Sequence, residues 1–257
     1  MIPVMEVFSS IQGEGSSVGR ISIFIRLGGC NFSCKGFNVK YKDPKTGEEK
    51  IGCDSFYSVD PAFKNEWIKT NSFDEIVDMV DKIMPIYPKA VLTKPDIVIT
   101  GGEPTLYWDN PEFQKLLAYY VSRNHCVTIE TNASLDIDFK REYQRKIKFS
   151  MSTKLSNSGE PENKRININN ITNIVENSPN SYLKFVVGKD YISDIETEID
   201  SILKEIPIYT IVFLMPLGDN RETLVYNAEA VIDMCIRKGF QYSDRTHIRI
   251  WGVKRGV

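Results

Sequence analysis

The chain has 257 residues, of which 42% are hydrophobic, so it can bury the core of one large α/β domain, and we expect a single domain over residues 1–257. Its 32 Lys and Arg residues nearly balance its 34 Asp and Glu residues. This balance does not indicate a surface that binds polyanions, so we expect no nucleic-acid partner. No run reaches the roughly 18 apolar residues of a bilayer span, and MIPVMEVFSS lacks a signal-peptide pattern, so we expect a cytoplasmic protein with no membrane partner.

Apolar, β-branched segments alternate with amphipathic ones, which predicts alternating strands and helices. The predicted strands are 21–27, 96–100, 126–130, 147–151, 182–187, 209–214 and 247–251. The predicted helices are 73–84, 111–123, 190–205 and 221–238. Ser72 and Glu75 have the spacing of a capping box, Asn110 and Pro111 are typical of a helix start, and Gly239 is typical of a helix end.

Strands that are apolar on both faces and joined by helices predict a parallel sheet, which is either covered on both sides or curled into a full or partial (β/α) barrel. In that architecture chemistry collects at the carboxyl ends of the strands. Unusual motifs do follow the strands here: GGEP follows 96–100, TN follows 126–130, STK follows 147–151 and MPLGD follows 209–214. The sequence therefore predicts a functional site at this edge of the sheet.

Five cysteines are an odd number, which disfavours a disulfide framework and suits reduced thiols. Cys126 and Cys235 lie within a predicted strand and a predicted helix, and we interpret both as packing residues. The others are Cys30, Cys34 and Cys53.

The pair Cys30 and Cys34 alone is as consistent with buried structural thiols as with a metal site. Cys53 favours the metal site, because turn residues in the intervening 35–52 segment predict a hairpin-like insertion that returns Cys53 to the pair. Three thiolates without an obvious fourth ligand would leave one iron of a cluster open, whereas a structural zinc ion normally closes its fourth position.

Two glycine-containing motifs suit ligand recognition. In TGGEP (100–104) the glycines permit close approach of a ligand to the backbone, and Glu103 supplies an acceptor. In FSSIQGEG (8–15) Gln12 both donates and accepts hydrogen bonds and Glu14 accepts them, which suits a heterocycle with mixed donors and acceptors. Without other context, the Gly-Gly pair is better interpreted as an ordinary strand-to-loop turn, and FSSIQGEG as a polar N-terminal turn; the nearby thiols favour a ligand site at TGGEP.

Arg26 ends an apolar strand at the predicted site, where it could bind a carboxylate with two hydrogen bonds, although a solvated arginine is the commoner case. His247 and Trp251 in the last predicted strand are compatible with a site or with the core.

Together the three cysteines and GGEP resemble the radical S-adenosylmethionine (SAM) superfamily, and the segments FSSIQGEG, GRISIFIRLGGCN and CDSFY resemble its 7-carboxy-7-deazaguanine synthase family. The resemblance extends through ETN (130–132) and STK (152–154) to THIRIW (246–251). It implies a partial, TIM-like (β/α) barrel of the radical SAM type, with residues 35–52 inserted in the cluster-binding loop. The superfamily has three and then two residues between its cysteines, whereas this chain has three and then eighteen.

The resemblance implies that Cys30, Cys34 and Cys53 bind a catalytic [4Fe-4S] cluster and that SAM occupies the fourth iron. An electron from an external donor such as flavodoxin or ferredoxin would cleave SAM to methionine and a 5′-deoxyadenosyl radical. The radical would abstract hydrogen from 6-carboxy-5,6,7,8-tetrahydropterin, which loses ammonia to give 7-carboxy-7-deazaguanine for 7-deazapurine and queuosine synthesis. The resemblance further implies a homodimer, and Mg²⁺ held by the hydroxyl of Ser55.

The resemblance also assigns binding residues position by position. Those for the pterin are Ile11, Gln12, Gly13, Glu14, Arg26, Thr100 and His247, with Arg26 on its carboxylate. Those for SAM are Gly52, Asp54, Gly102, Glu103, Glu130, Asn132, Ser152, Thr153, Lys154, Met215, Pro216, Leu217 and Gly218. Thr153 and Met215 depart from the family, which has Pro and Gln there. Some relatives end near the equivalent of Val253, whereas this chain continues with KRGV.

Two other functions remain as alternatives. A glycyl-radical activating enzyme would act on a protein partner, but IQGEG and Arg26 better suit a small carboxylated heterocycle. A non-catalytic thiol-metal module would not require GGEP, ETN and STK at successive strand ends.

Overall fold

The computed structural model describes residues 1–85 and 94–257. The strands in these ranges are β1 (Ile2–Ile11), β2 (Ile21–Leu27), β3 (Val39–Lys42), β4 (Glu49–Gly52), β5 (Ile68–Thr70), β6 (Asp96–Gly101), β7 (Val127–Thr131), β8 (Lys148–Met151), β9 (Tyr182–Val187), β10 (Ile211–Pro216) and β11 (Gln241–Tyr242). The helices are α1 (Phe56–Val59), α2 (Phe73–Asp81), α3 (Pro111–Ser122), α4 (Glu162–Arg165), α5 (Ile168–Asn177), α6 (Ile192–Lys204), α7 (Arg221–Lys238) and α8 (Thr246–Trp251). None of these helices is long and apolar enough to cross a membrane.

The main sheet has the strand order β11-β10-β9-β8-β7-β6-β2-β1-β5. Neighbouring strands from β2 through β6 to β11 pair in parallel, whereas β1 is antiparallel to both β2 and β5. The prediction of an α/β fold with a mostly parallel sheet is confirmed. Within the described ranges, β5 and β11 end the sheet without pairing with each other, as an open, partial barrel requires.

The two faces of the sheet differ in chemistry. Ile99, Ile129 and Phe185 lie on the face that packs with the helices and are fully buried. The alternate residues point to the opposite face, and they include the buried polar side chains of Thr100 and Lys184. The expectation that both faces are apolar was therefore wrong, because the second face lines a polar interior.

Several helix ends form as their sequences predict. Glu75 accepts a hydrogen bond from the backbone N–H of Ser72 at the start of α2. Asn110 accepts one from the N–H of Glu112 at the start of α3, and Pro111 is its first residue. Gly239 has a φ of +72° after α7, a conformation that glycine adopts without steric cost.

The predicted strand 247–251 was wrong, because these residues form α8. The edge beside β10 is already occupied by β11, so the following chain turns over the sheet, where the N–H of Thr246 donates to the carbonyl of Gly13. The N-terminal residues 2–11 were not predicted as a strand, yet they form β1, whose Ile2 and Val4 are buried between β2 and β5. Helix α5 and strands β5 and β11 were also missed.

The 35–52 insertion contains an antiparallel hairpin of β3 and β4, in which Val39 pairs with Gly52. The carboxylate of Asp43 accepts two backbone N–H bonds and stabilises the turn. The ring of Tyr41 stacks on Phe56 with centroids 4.2 Å apart, and its hydroxyl donates to Asp60. The hairpin is thus packed against the segment that follows Cys53.

Candidate active site

Three cysteines follow the ends of β2 and β4. Gly28 and Gly29 lead from β2 to Cys30, Cys34 has a left-handed backbone with φ of 48°, and Cys53 directly follows β4. All three are free thiols. They lie close enough together that ionising one would affect the pKa of another. Burial raises the pKa of Cys30 to about 12 and of Cys34 to about 11, so in the absence of a metal both are neutral thiols.

These cysteines suit a cluster better than a single ion. Across residues 1–85 and 94–257, no three His, Cys, Asp or Glu side chains are close enough to hold one metal ion. A [4Fe-4S] cluster binds its thiolates at separate iron corners, so they stand further apart than the ligands of one ion. Bound iron would also supply the positive charge that ionised thiols need in this buried loop. The donor set fits a cluster with one iron left open.

Two polar contacts hold the cysteine loop in place. One carboxylate oxygen of Glu160 accepts hydrogen bonds from the backbone N–H groups of Ser33 and Cys34, both at 2.8 Å. The side-chain amide of Asn132 donates to Asn31 at 2.9 Å. The loop is therefore anchored to the carboxyl end of β7 and to the segment after β8. Glu160 and Asn31 were not predicted from the sequence.

The GGEP turn packs directly on this loop. The N–H of Glu103 donates to the carbonyl of Gly29, and a side chain at Gly102 would lie 2.0 Å from that same oxygen. The fully buried carboxylate of Glu103 accepts bonds from the N–H and hydroxyl of Thr105, the hydroxyl of Thr131 and the N–H of Asn132. This carboxylate joins the strand ends, and a contact of Glu103 with SAM stays a prediction.

We expect Glu103→Gln to lower the free energy of unfolding by about 1–3 kcal/mol. Both carboxylate oxygens accept hydrogen bonds, and the amide nitrogen that replaces one of them cannot act as an acceptor. Urea unfolding measures the change. Glu66→Gln is the matched control, since Glu66 is exposed and we expect a change within about 0.5 kcal/mol. Equal effects of the two substitutions would contradict the structural role of Glu103.

A second cluster lies on the polar face of the sheet. The hydroxyl of Thr100 donates to one oxygen of Glu130 at 2.8 Å, and the amide of Gln12 donates to the other at 3.1 Å. The family resemblance assigned Thr100 and Gln12 to the pterin and Glu130 to SAM, but the structure places all three side chains together. Their side chains present donors and acceptors side by side, as recognition of a heterocycle requires.

An alternating chain of charges connects this face to the cysteine loop. Glu14 is ion-paired with Lys184, and its other oxygen is 3.1 Å from Nε of Arg245. Arg245 also donates to Asp54, the residue after Cys53, at 2.7 Å and to the carbonyl of Gly218 at 2.7 Å. Burial raises the pKa of Glu14, but the charges of Lys184 and Arg245 outweigh it and hold that pKa well below its usual range.

His247 lies beside the Gln12–Gly15 segment. A side chain on Gly13 would lie 2.3 Å from Nδ1 of His247, and Nε2 of His247 is 3.8 Å from Glu14. Burial lowers the pKa of His247 despite the nearby carboxylate, which favours a neutral ring at neutral pH. Gly13 is required because this close contact leaves no room for a side chain.

Arg26 lies at the carboxyl end of β2 next to an acid. Its Nε donates to Glu6 at 2.7 Å, and its Nη1 is 3.5 Å from the hydroxyl of Ser55. That hydroxyl is in turn 3.4 Å from Asp54. Arg26 therefore keeps donors for a further anion, and the oxygens of Asp54 and Ser55 lie side by side.

The remaining predicted residues occupy two strand ends. Ser152 donates its N–H to the carbonyl of Thr131 and accepts a bond from Lys154, whose Nζ is 5.8 Å from the ring centroid of Phe37. The buried hydroxyl of Thr153 has no partner within the described residues. The segment Met215–Gly218 comprises the last two residues of β10 and the two residues after it, and the N–H of Leu217 donates to the carbonyl of Val187.

Ile11 lies away from the cysteine loop, at the end of β1. It pairs with Ile21 at the start of β2, at the opposite end of that strand from Cys30. The chain after Ile11 reaches the polar interior only from Gln12 onward.

A family model described as a 4Fe-4S single cluster domain matches residues 11–175, and the chain belongs to this family. The chain is 28% identical to the 7-carboxy-7-deazaguanine synthase of Pyrobaculum aerophilum, over 99% of this chain and 97% of that one. It is 29% identical to the enzyme of the same name from Rhodopirellula baltica, over 99% of this chain and 88% of that one. These matches confirm the resemblance to radical SAM 7-carboxy-7-deazaguanine synthases.

The fold has a counterpart among solved structures. The crystal structure of QueE from Escherichia coli superposes with a TM-score of 0.61 at 22% identity and covers 96% of this chain and 94% of that one. At this identity the likeness supports the fold, a mixed α/β structure with a mostly parallel sheet.

Proposed function

We propose that this chain is a radical SAM 7-carboxy-7-deazaguanine synthase that converts 6-carboxy-5,6,7,8-tetrahydropterin to 7-carboxy-7-deazaguanine with loss of ammonia. The observation that carries the proposal is the connection through Arg245, which contacts Asp54 in the cysteine loop, Glu14 beside the polar face and Gly218 after β10. The regions assigned to the cluster, the pterin and SAM thus meet at one side chain.

Cys30, Cys34 and Cys53 would hold the [4Fe-4S] cluster, which when bound with SAM supplies the one-electron cleavage that starts the reaction. Gly102 lets the backbone approach that group, since it already touches Gly29 beside Cys30. Lys154 favours negative charge here, because its ammonium group acts on both Cys30 and Cys34. The strand ends would thereby hold SAM against the loop.

The pterin would lie on the polar face. Glu130 accepts hydrogen bonds, so its carboxylate suits the amino and ring N–H groups of a pterin, and Gln12 and Thr100 fix its orientation. Neutral His247 offers one donor and one acceptor nearby. Arg26 would bind the carboxylate of the substrate through the guanidinium nitrogens that Glu6 leaves free.

We also propose a bound Mg²⁺ ion, a second subunit and an external electron donor. Asp54 and Ser55 place two hard oxygen atoms side by side, as a Mg²⁺ ion requires, and substrate and water oxygens would complete its coordination. The protein would act as a homodimer in the cytoplasm, where its thiols stay reduced, and would receive its electron from flavodoxin or ferredoxin.

The proposal is tested by anaerobic reconstitution of the iron–sulfur cluster, followed by incubation with SAM, a one-electron reductant and 6-carboxy-5,6,7,8-tetrahydropterin. We expect 7-carboxy-7-deazaguanine, identified by mass. SAM cleavage to 5′-deoxyadenosine without pterin turnover would refute this function and favour a glycyl-radical activating enzyme. A protein that binds iron but never forms 5′-deoxyadenosine would support the non-catalytic alternative.

A further inference from the structure

The chain after α8 folds back over the segment that follows Cys53. The guanidinium carbon of Arg255 lies 3.6 Å from the ring centroid of Tyr57 and 5.4 Å from that of Phe56. The same Tyr57 ring has the guanidinium carbon of Arg26 at 5.6 Å. Two arginines from opposite ends of the chain therefore contact one buried tyrosine.

The charged side chains near the Tyr57 ring are not all paired with an opposite charge. Arg26 is neutralised by Glu6 at 2.7 Å, and the nearby Asp54 is paired with Arg245. Arg255 is exposed and has no carboxylate within ion-pair distance in the part of the chain that the structure describes. The Arg26–Glu6 pair alone carries no net charge, so Arg255 provides the excess positive charge that an anionic ligand at this place requires.

We propose that Arg255 is a specificity-determining residue, which supplies a second guanidinium to the carboxylate of the substrate and so selects a carboxylated pterin. This inference rests on the proposed function and deepens it. Tyr57 makes cation–π contacts with both arginines, so both positive charges lie beside the same ring before the ligand arrives. The KRGV residues then belong to the substrate site, although some relatives end before them.

The test compares two ligands on the reconstituted, SAM-loaded protein under anaerobic conditions. The dissociation constants of 6-carboxy-5,6,7,8-tetrahydropterin and of 5,6,7,8-tetrahydropterin are measured for the wild type, Arg255→Gln and Arg255→Lys. We expect Arg255→Gln to weaken binding of the carboxylated ligand on the order of 10- to 100-fold, with little change for the other ligand. Arg255→Lys should recover only part of the loss, because an ammonium group lacks the planar fork of a guanidinium.

Lys254→Gln is the matched control, since it removes the same charge one residue away, and it should bind both ligands like the wild type. An unchanged preference for the carboxylated ligand in Arg255→Gln would overturn the inference. Equal weakening of both ligands would also overturn it, by showing that Arg255 only anchors the C-terminal segment. Tight, Arg255-dependent binding without turnover would refute the proposed function alone, whereas no binding by the wild type would refute both.

Discussion

Replacing Cys53 with alanine is expected to prevent assembly of a complete [4Fe-4S] cluster, because the cluster would lose one of its three protein ligands. Iron and sulfide content, the visible absorption spectrum and SAM cleavage measure the effect. The expected result is near-complete loss of SAM cleavage and a clearly lower content of bound iron.

Cys126→Ala is the matched control. The interpretation of Cys126 as a packing residue was wrong, because it is an exposed thiol just before the start of β7, at the end of the parallel sheet opposite the cysteine loop. Cys126→Ala should retain a cluster that cleaves SAM. A full, SAM-cleaving cluster in Cys53→Ala would contradict the ligand assignment, and with it the view that residues 35–52 are an insertion between two ligands.

The second large effect concerns Arg245. We expect Arg245→Met to lower the free energy of unfolding by about 3 kcal/mol, because it leaves the largely buried Glu14 with one cation instead of two and leaves Asp54 unpaired. Equilibrium urea unfolding at pH 7 measures the change. Arg237→Met is the control, since Arg237 also donates two hydrogen bonds to carboxylate oxygens, both on Glu196, but lies on the surface, where a pair contributes less than about 1 kcal/mol.

The loss in Arg245→Met should also depend on pH. The pKa of Glu14 in the folded protein lies below its ordinary value of 4.5, so its ion pairs stabilise the protein fully above that pH. Their contribution declines as the pH falls below 4.5 toward the folded-state pKa. The difference in stability between wild type and Arg245→Met should therefore shrink in acid, and a difference that grows below pH 4.5 would refute the role of the Glu14 pairs.

Much of the fold follows from local patterns. The apolar runs predicted β2 and β9 to the residue, and Asn110, Pro111 and Gly239 marked helix ends because their backbone preferences act locally. The strand predicted at 247–251 was wrong. Its β-branched residues express only a local preference for the strand conformation, and the position beside β10 is filled by β11. Which strand fills an edge depends on the whole topology.

The contacts within the site were harder to predict from the sequence than the fold. Motifs identified the cysteines and GGEP, but the partner of Glu14 is 231 residues away at Arg245, and no local pattern relates them. Lys184 did leave a signal, because it is a charged residue inside an otherwise apolar strand, and such a residue requires a buried partner. The superfamily spacing would place the third cysteine at position 37, where this chain has Phe37, and the β3–β4 hairpin lies between that position and Cys53.

We propose that the radical formed from SAM at the cluster would remove hydrogen from a reduced pterin bound on the polar face. The most direct measurement uses 6-carboxy-5,6,7,8-tetrahydropterin deuterated on the saturated carbons of its reduced ring, with the reconstituted wild type and SAM. We expect deuterium at the 5′ carbon of the adenosyl group, recovered in 5′-deoxyadenosine or SAM, together with 7-carboxy-7-deazaguanine. Product formed with no deuterium transferred to that carbon, or 5′-deoxyadenosine formed with no product, would contradict the claim.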